Sequence, residues 1–414
     1  YVVKAKQLLG AGWSLNLNGR MRDSELTVRA ARPASGINRT TQSINYAGVN
    51  TTNPQKGYAL DVNVDGEFFL IGRAHRLTLG YMYENFSSRS WMYLGGASVP
   101  TALNARPSIG LLADYNYFSQ NRTLSSAFYG MVNLELARGL HAVLGGRVTD
   151  YKTRTRSGFP VASPWAVGIE EKGYLTPYAG MTWNVTDSVT LYASYTDSFQ
   201  PTTTEDYFGN VLKPVIGSQL ETGVKAALFG EQLNLSAAIY KSRQRNVAIR
   251  DPDPTHVCGP NSSFCSINGP GMYRKWGVEF EVNGSPLPGL QLSASYSWHH
   301  DDGTWFEIYA REKATLWATY RQHPDGRGWM VGGGLTVQGP TSDAYGGGSY
   351  DLRQPVYAIA DLQAGYQFSE RLTLALNVNN VLDKVYLRQI NFLRGAHNQF
   401  GEPRNISLSL RAKY

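Results

Sequence analysis

The sequence predicts an all-β chain, a transmembrane antiparallel β-barrel. Three observations carry that reading. Apolar and polar residues alternate with period two along almost the whole chain, the pattern of a strand with one apolar and one polar face. Tight turns and long loops take strict turns between these stretches, as they do in outer-membrane barrels. No apolar run approaches the roughly 20 residues that a membrane-crossing helix needs.

The strands justify themselves in chain order. "YALDVNVDGEFFL" sets Leu60, Val62, Val64, Phe68 and Leu70 against Asp61, Asn63, Asp65 and Glu67. "RLTLGYMYE" sets Leu77, Leu79, Tyr81 and Tyr83 against Thr78, Gly80, Met82 and Glu84. "WGVEFEVNG" and "LQLSASYSWHH" repeat the pattern with Trp276, Val278, Phe280 and Val282, then Leu290, Leu292, Ala294, Tyr296 and Trp298. "RNISLSLRAKY" closes the chain with Ile406, Leu408, Leu410, Ala412 and Tyr414 on one side. Acids and amides recur in mid-strand, so Asp61, Asp65, Glu67, Arg147, Glu279, Glu281 and Lys413 are expected to line a wet lumen. The periodicity rules mark about 17 strands.

The links "IGRAHR", "LARGL", "NVTDSV", "LFGEQ", "GSPLPG", "RQHPDGRG" and "FSER" read as tight turns. Ser88 to Thr123, Arg156 to Gly173, Ser198 to Gly217, Asn246 to Gly271 and Gln338 to Pro355 read as long loops, rich in Gly, Pro, Ser and aromatic residues. A propeller would repeat similar blades at a fixed period, and no such repeat occurs.

Composition narrows the class further. With 26 Tyr and nine Trp, the chain has rings for the interface girdles of a barrel, although a β-sandwich uses such rings too. The net charge of +7 includes no basic cluster interleaved with base-stacking rings, so nucleic acid is excluded as a partner. The two cysteines, Cys258 and Cys265, lie in the loop-like "DPDPTHVCGPNSSFCSINGPG". A pair so close in an exposed loop is expected to form a disulfide in an oxidising compartment, with free thiols as the alternative. Four zinc ligands with suitable spacing are not nearby. "HHDD", His299 to Asp302, suggests a metal site, but four adjacent residues do not converge on one ion. No Ser-His-Asp set, phosphate loop or paired carboxylate stands out, so the chain is not read as an enzyme.

Several segments, taken in order, resemble the barrel of TonB-dependent ferric siderophore receptors. These are "TPYAGMTWNVTDSVTLYASYTDSFQP", "NVLKPVIGSQLETGVKAALFGEQLNLSAAIYKSRQRNVA", "RKWGVEFEVNG", "LNVNNVLDKVY" and "GEPRNISLSLRAKY". Together they cover nearly the whole chain, and the hydroxamate and pyoverdine-type receptors are the nearest match. "FEIYAREKATLWATYR" departs from the family in lacking the Pro-Arg that often opens that strand. Such receptors carry an N-terminal plug inside a barrel of about 22 strands. Nothing in 1–414 resembles a plug, so the chain is expected to be one barrel domain with the first strands and the plug missing.

The resemblance implies outer-membrane uptake of a ferric siderophore, energised by the TonB–ExbB–ExbD complex through the plug. It also implies contact with outer-membrane lipid and with the barrel-assembly machinery. A passive porin-like channel is the alternative, and an outer-membrane lipase or protease a more distant one. A siderophore already wraps its iron in oxygen donors, so no cofactor and no protein metal ligand are expected. Recognition of a large, partly apolar chelate calls for aromatic surfaces with a few polar contacts. Trp91, Tyr93, Trp165, Tyr207, Phe208, Trp305, Phe306, Tyr345 and Tyr350 are the candidates. For any one of these rings, interface anchoring or loop packing is the favoured account; as a group they are expected to include ligand contacts.

Parity makes the last strand testable. Tyr414 shares the side of Ile406, Leu408 and Leu410, and a one-residue slip would put Arg411 and Lys413 into the bilayer. Tyr414 is therefore expected at the periplasmic rim. Deleting Tyr414 should lower the amount of protein recovered in the outer-membrane fraction while total synthesis stays unchanged; an undiminished membrane fraction would contradict the reading.

Overall fold

The computed structural model describes residues 1–33, 38, 40–93, 99–102, 105, 115–202, 204–258, 263–302, 309–323, 327–345, 350–390 and 398–413. Its largest sheet has eighteen strands. One is the four-residue Val99–Ala102, which extends the upper part of a neighbour; the other seventeen follow one another around the sheet.

In chain order these are β1 (Val2–Gly10), β2 (Trp13–Pro33), β3 (Ser43–Leu70), β4 (Arg73–Tyr93), β5 (Tyr117–Ala137) and β6 (Leu140–Gly158). Then come β7 (Ala166–Thr186), β8 (Val189–Gln200), β9 (Val215–Leu228), β10 (Leu233–Arg245), β11 (Tyr273–Leu287) and β12 (Leu290–Asp301). The last five are β13 (Glu312–Arg321), β14 (Gly328–Gln338), β15 (Tyr357–Ser369), β16 (Leu372–Asn379) and β17 (Asn405–Ala412). Each pairs antiparallel with the next. Among the described residues, β1 and β17 pair on one side only. Connections of two to six residues alternate with connections of seven to twenty-seven. All the long ones therefore emerge at one end.

Register carries the apolar parity from strand to strand. One row of Cα partners runs Leu17, Val62, Tyr81, Phe128, Val148, Leu175. Further round, Phe280 pairs with Tyr296, Leu316 with Leu335, and Leu376 with Leu408. These side chains stand out from the sheet; Phe128 is 68% exposed. A continuous apolar surface of this kind is the lipid-facing band of a barrel. The adjacent parity carries Asp61, Asp65, Glu67, Arg147, Glu279 and Glu281 on the inner face, as expected. Lys413 follows β17 on the parity of Arg411, and Tyr414 lies outside the described residues.

Two of the loops read from sequence are partly strand. β4 runs on to Tyr93 and β5 begins at Tyr117, which absorbs both ends of the expected loop Ser88 to Thr123. β6 reaches Gly158 and β7 starts at Ala166, so Arg156 to Gly173 keeps only a short link. A crossing needs about 9–11 residues, whereas β3 has 28. The excess projects beyond the bilayer. There both faces meet water, so apolar alternation fades although the backbone ladder continues.

The inner face is built from rings laid over glycines. Tyr129, Tyr178, Tyr192 and Tyr240 sit directly across from Gly80, Gly145, Gly223 and Gly277. A Cβ on Gly80 would lie 2.3 Å from the Tyr129 ring, and one on Gly145 would lie 2.4 Å from that of Tyr178. The hydroxyls then reach along the wall. Tyr129 Oη donates to Asp61 Oδ2 at 2.7 Å and Tyr192 Oη to Glu221 Oε1 at 2.7 Å. Trp317 repeats the arrangement over Gly334 and donates from Nε1 to Thr319 Oγ1 at 2.8 Å. Tyr129, Tyr192 and Trp317 are thus held flat against the wall with their polar ends satisfied.

The two faces should respond oppositely to the same charge. Leu316→Arg, on the outer face, should destabilise the folded barrel by about 2–4 kcal/mol if it sits near the bilayer midplane. Ser295→Arg, exposed on the inner face of the next strand, should have little effect. Unfolding midpoints in lipid bilayers measure both; equal losses would refute the assigned faces.

Candidate functional site

Above the bilayer, the best-defined meeting of loops joins 201–214 with 246–272. Asn268 stitches them together. Its Oδ1 accepts from the Lys213 amide at 3.0 Å, and its Nδ2 donates to the carbonyls of Asn246 at 3.0 Å and Lys213 at 3.2 Å. Short side chains close the local turns. Asp206 Oδ1 accepts from the amides of Phe208 and Asn210, and Asp253 Oδ1 from that of Thr255, which is how Asp replaces a backbone acceptor in tight loops. Cys258 and Cys265 are joined by the expected disulfide. Cys265 is buried, and its carbonyl accepts the Asp251 amide at 2.8 Å.

His256 is the centre of this cluster. Its ring stacks on Tyr207 with centroids 4.1 Å apart and an interplanar angle of 8°, and Phe208 meets it edge-on at 6.0 Å. Nδ1 lies 2.7 Å from Asp251 Oδ2, and Nε2 lies 3.6 Å from Asp253 Oδ2. The hydrogen bond to Asp251 raises the His256 pKa above the usual histidine value, with Asp253 adding to it. The same bond holds the Asp251 carboxyl below its ordinary range. The outcome is a partly apolar surface, with Tyr207 and Phe208 exposed, braced from beneath by an ion pair and a disulfide.

The other candidate rings are placed differently. Trp91 pairs across the ladder with Phe118, their rings 5.4 Å apart, and with Tyr93 it has the outward parity of Leu79 and Tyr81. Trp165 lies under the Arg156 guanidinium at 4.7 Å and borders a pocket of about 300 Å³ that Lys56, Tyr58, Arg89 and Arg122 also line. These rings belong to the outside of the wall. Trp91, read from sequence as a loop residue, stands on the wall instead, because that strand keeps its register up to Met92. Tyr345 and Tyr350 are backbone partners at the tip of a hairpin, Thr341–Tyr345 with Tyr350–Gln354. Trp305 and Phe306 lie outside the described residues.

In "HHDD", His299 is paired with Gly277 on the inner face and His300 with Trp276 on the outer. His299 Nε2 comes within 3.8 Å of Asp301 Oδ2, and no group of three ligating residues converges among the described residues. Sequence reasoning missed His256, Asp251 and Asn268. The spaced aspartates of "DPDPTH" beside a disulfide were the available sign of a structured loop.

Comparison with known proteins gives one family and consistent neighbours. Residues 4–381 match the family described as TonB dependent receptor-like, beta-barrel. The chain is 27% identical to the ferric-pyoverdine 358 receptor of Pseudomonas putida, over 99% of this chain and 51% of that one. It is 27% identical to the ferrioxamine B receptor of Salmonella typhimurium, over 97% of this chain and 56% of that one. The structure of the pyoverdine outer membrane receptor FpvA from Pseudomonas aeruginosa PAO1, bound to pyoverdine, superposes with a TM-score of 0.83 at 25% identity, covering 100% of this chain and 61% of that one. The chain thus spans about half the length of the curated relatives it matches.

The His256 clamp sets a pH response. A histidine whose folded pKa is raised contributes stability that is complete below its unfolded value, about 6.5. That contribution is lost as pH rises through the folded value. After correction for intrinsic rates, hydrogen exchange in 204–212 and 251–258 should therefore quicken as pH rises through that window. His256→Gln should abolish this pH step. Reducing the disulfide should loosen the same segments by up to about 3 kcal/mol in the chain-entropy model and leave barrel exchange unchanged.

Proposed function

The chain belongs to the TonB dependent receptor-like β-barrel family, and on that premise we propose that it forms the barrel of a receptor that takes up a ferric siderophore. The observation that carries the proposal is the strict alternation of connections, which gathers the long, ring-bearing loops at one end of a wall with a polar inner face. The barrel sits in the bacterial outer membrane with those loops outside. Iron is cargo here, carried by its chelator, so the protein supplies surface rather than ligands. Relatives named for ferric-pyoverdine and ferrioxamine B support a hydroxamate-bearing chelate as the ligand class.

Tyr207 is our first choice for a chelate contact, with Phe208 beside it; Trp305, Tyr345 and Tyr350 are the further candidates. Trp91, Tyr93 and Trp165 we reassign to the outer wall. Energy for uptake comes from the TonB–ExbB–ExbD complex through a plug carried by sequence beyond these 414 residues. The half-length match to the relatives supports that division. Assembly into the membrane runs through the barrel-assembly machinery, which reads the terminal aromatic strand.

The test uses the complete receptor and a panel that includes ferric pyoverdines and ferrioxamine B. One member of the panel should bind and be transported only while the membrane is energised. Tyr207→Ala should weaken its binding by about 1–3 kcal/mol, the range for a ring in true contact. Uptake that persists without energy would favour a passive channel. Unchanged affinity would return Tyr207 to loop packing.

A further inference from the structure

We propose that four arginines on the outer wall, Arg89, Arg122, Arg154 and Arg156, form a binding site for the phosphate groups of outer-leaflet lipid headgroups. The inference rests on the membrane-barrel reading and is independent of which ligand the receptor takes.

Register puts all four on the lipid-facing parity. Arg122 follows Phe128 by even steps along β5, Arg89 follows Tyr81 along β4, and Arg154 and Arg156 follow Val148 along β6; the ladders between these strands are unbroken there. One row of partners reads Asp23, Lys56, Ser87, Arg122, Arg154. The row above contains Arg89, Gln120 and Arg156. The row below contains Met21, Tyr58, Asn85 and Leu124, where the apolar band ends in an aromatic girdle with Tyr58 and Tyr83 exposed. Two residues advance a strand by roughly 7 Å. The polar layer outside the hydrocarbon is also about 5–8 Å deep on each side. The arginines thus stand at headgroup height.

Their pairing calls for an anion. Arg122 and Arg154 are directly opposed across the ladder, and like charges so placed are destabilising unless something lies between them. Among the described residues none of the four has a carboxylate partner. Arg122 Nε donates to Asn85 Oδ1 at 3.2 Å, and Arg156 Nη2 to Gln120 Oε1 at 2.8 Å. Two of the acids at the borders are already engaged: Asp23 with Lys56 at 3.4 Å, and Glu170 with Lys152 and Lys172. Neutral acceptors hold these two guanidinium groups in place and leave their charge unspent. Gln120 is buried and also donates to Ser87 Oγ at 3.1 Å, which anchors Arg156, while the Trp165 ring covers its other side. The 300 Å³ pocket between them, lined by Arg89, Arg122, Lys56 and Trp165, opens on the lipid side. Fixed guanidinium forks are the usual recognition of phosphate oxygens.

The complete receptor, extracted and exchanged into nanodiscs, is offered lipid A with both phosphates, lipid A lacking them, and inorganic phosphate alone. Native mass spectrometry should find the phosphorylated glycolipid retained by the wild type and not displaced by inorganic phosphate. Arg122→Gln/Arg154→Gln should retain at least ten-fold less, with ferric siderophore affinity unchanged, and Arg122→Lys should restore part of the retention. Arg122→Gln alone gives the same reading should the double variant fail to assemble. Arg411→Gln, on the inner face at the opposite end, should retain as the wild type does. Equal retention by wild type and variants, equal retention of both lipids, or displacement by inorganic phosphate would each overturn the proposal.

Discussion

Hydrocarbon offers a peptide group no hydrogen-bond partner, so every strand must pair along the whole of its crossing length. Everything else in this structure follows from that. Pairing across two-residue turns such as Ile71–Gly72 makes neighbours antiparallel and carries side-chain parity from strand to strand without a break. Once the row from Leu17 to Leu175 is set outward, residues as far apart in sequence as Asp61 and Arg147 must share the lumen. The ladder is indifferent to where the membrane ends. β3 to β7 keep pairing well above it, which makes a rigid collar from sequence that looks like loop.

A wide polar lumen raises a second difficulty: the inner face has too little packing to hold side chains still. Rings over glycines answer it. A tyrosine opposite a glycine lies down on bare backbone, buries one face and presents its hydroxyl to a neighbouring carboxylate, as Tyr129 does to Asp61 and Tyr192 to Glu221. Part of the chain's Gly and Tyr is thereby explained from the inside of the wall as well as from its girdles. The glycine alone would be a poor strand choice, since without its ring it weakens the strand.

What the sequence made legible follows the same logic. Strand number, faces and turn order were readable because they depend on alternation between lipid and water. The disulfide was readable because Cys258 and Cys265 are close in sequence. Where the bilayer stops constraining the chain, legibility stopped too. Trp91 read as a loop residue because its surroundings are Ser- and Gly-rich, and its side of the wall emerges only by counting register from Tyr81. Arg122 opposite Arg154 required the partner strand to be known. His256 was hidden for another reason: its partners Tyr207 and Asp251 belong to one cluster only because two loops distant in sequence dock.

That docking bears on recognition itself. A ring on a mobile loop must give up its freedom when it meets a ligand, at a cost of about 0.5–1.5 kcal/mol for each immobilised side chain. Tyr207 has already given up much of it, stacked on His256 and tied through Asn268 and the disulfide to the neighbouring loop. Less of the contact energy is then lost to ordering, and affinity rises without new contacts. The same bracing narrows the range of shapes the surface can meet. Under the proposed function, such a surface trades breadth of chelates for grip on one. His256 stays charged below its raised pKa, so the bracing is complete on the acid side and loosens as pH rises through that value.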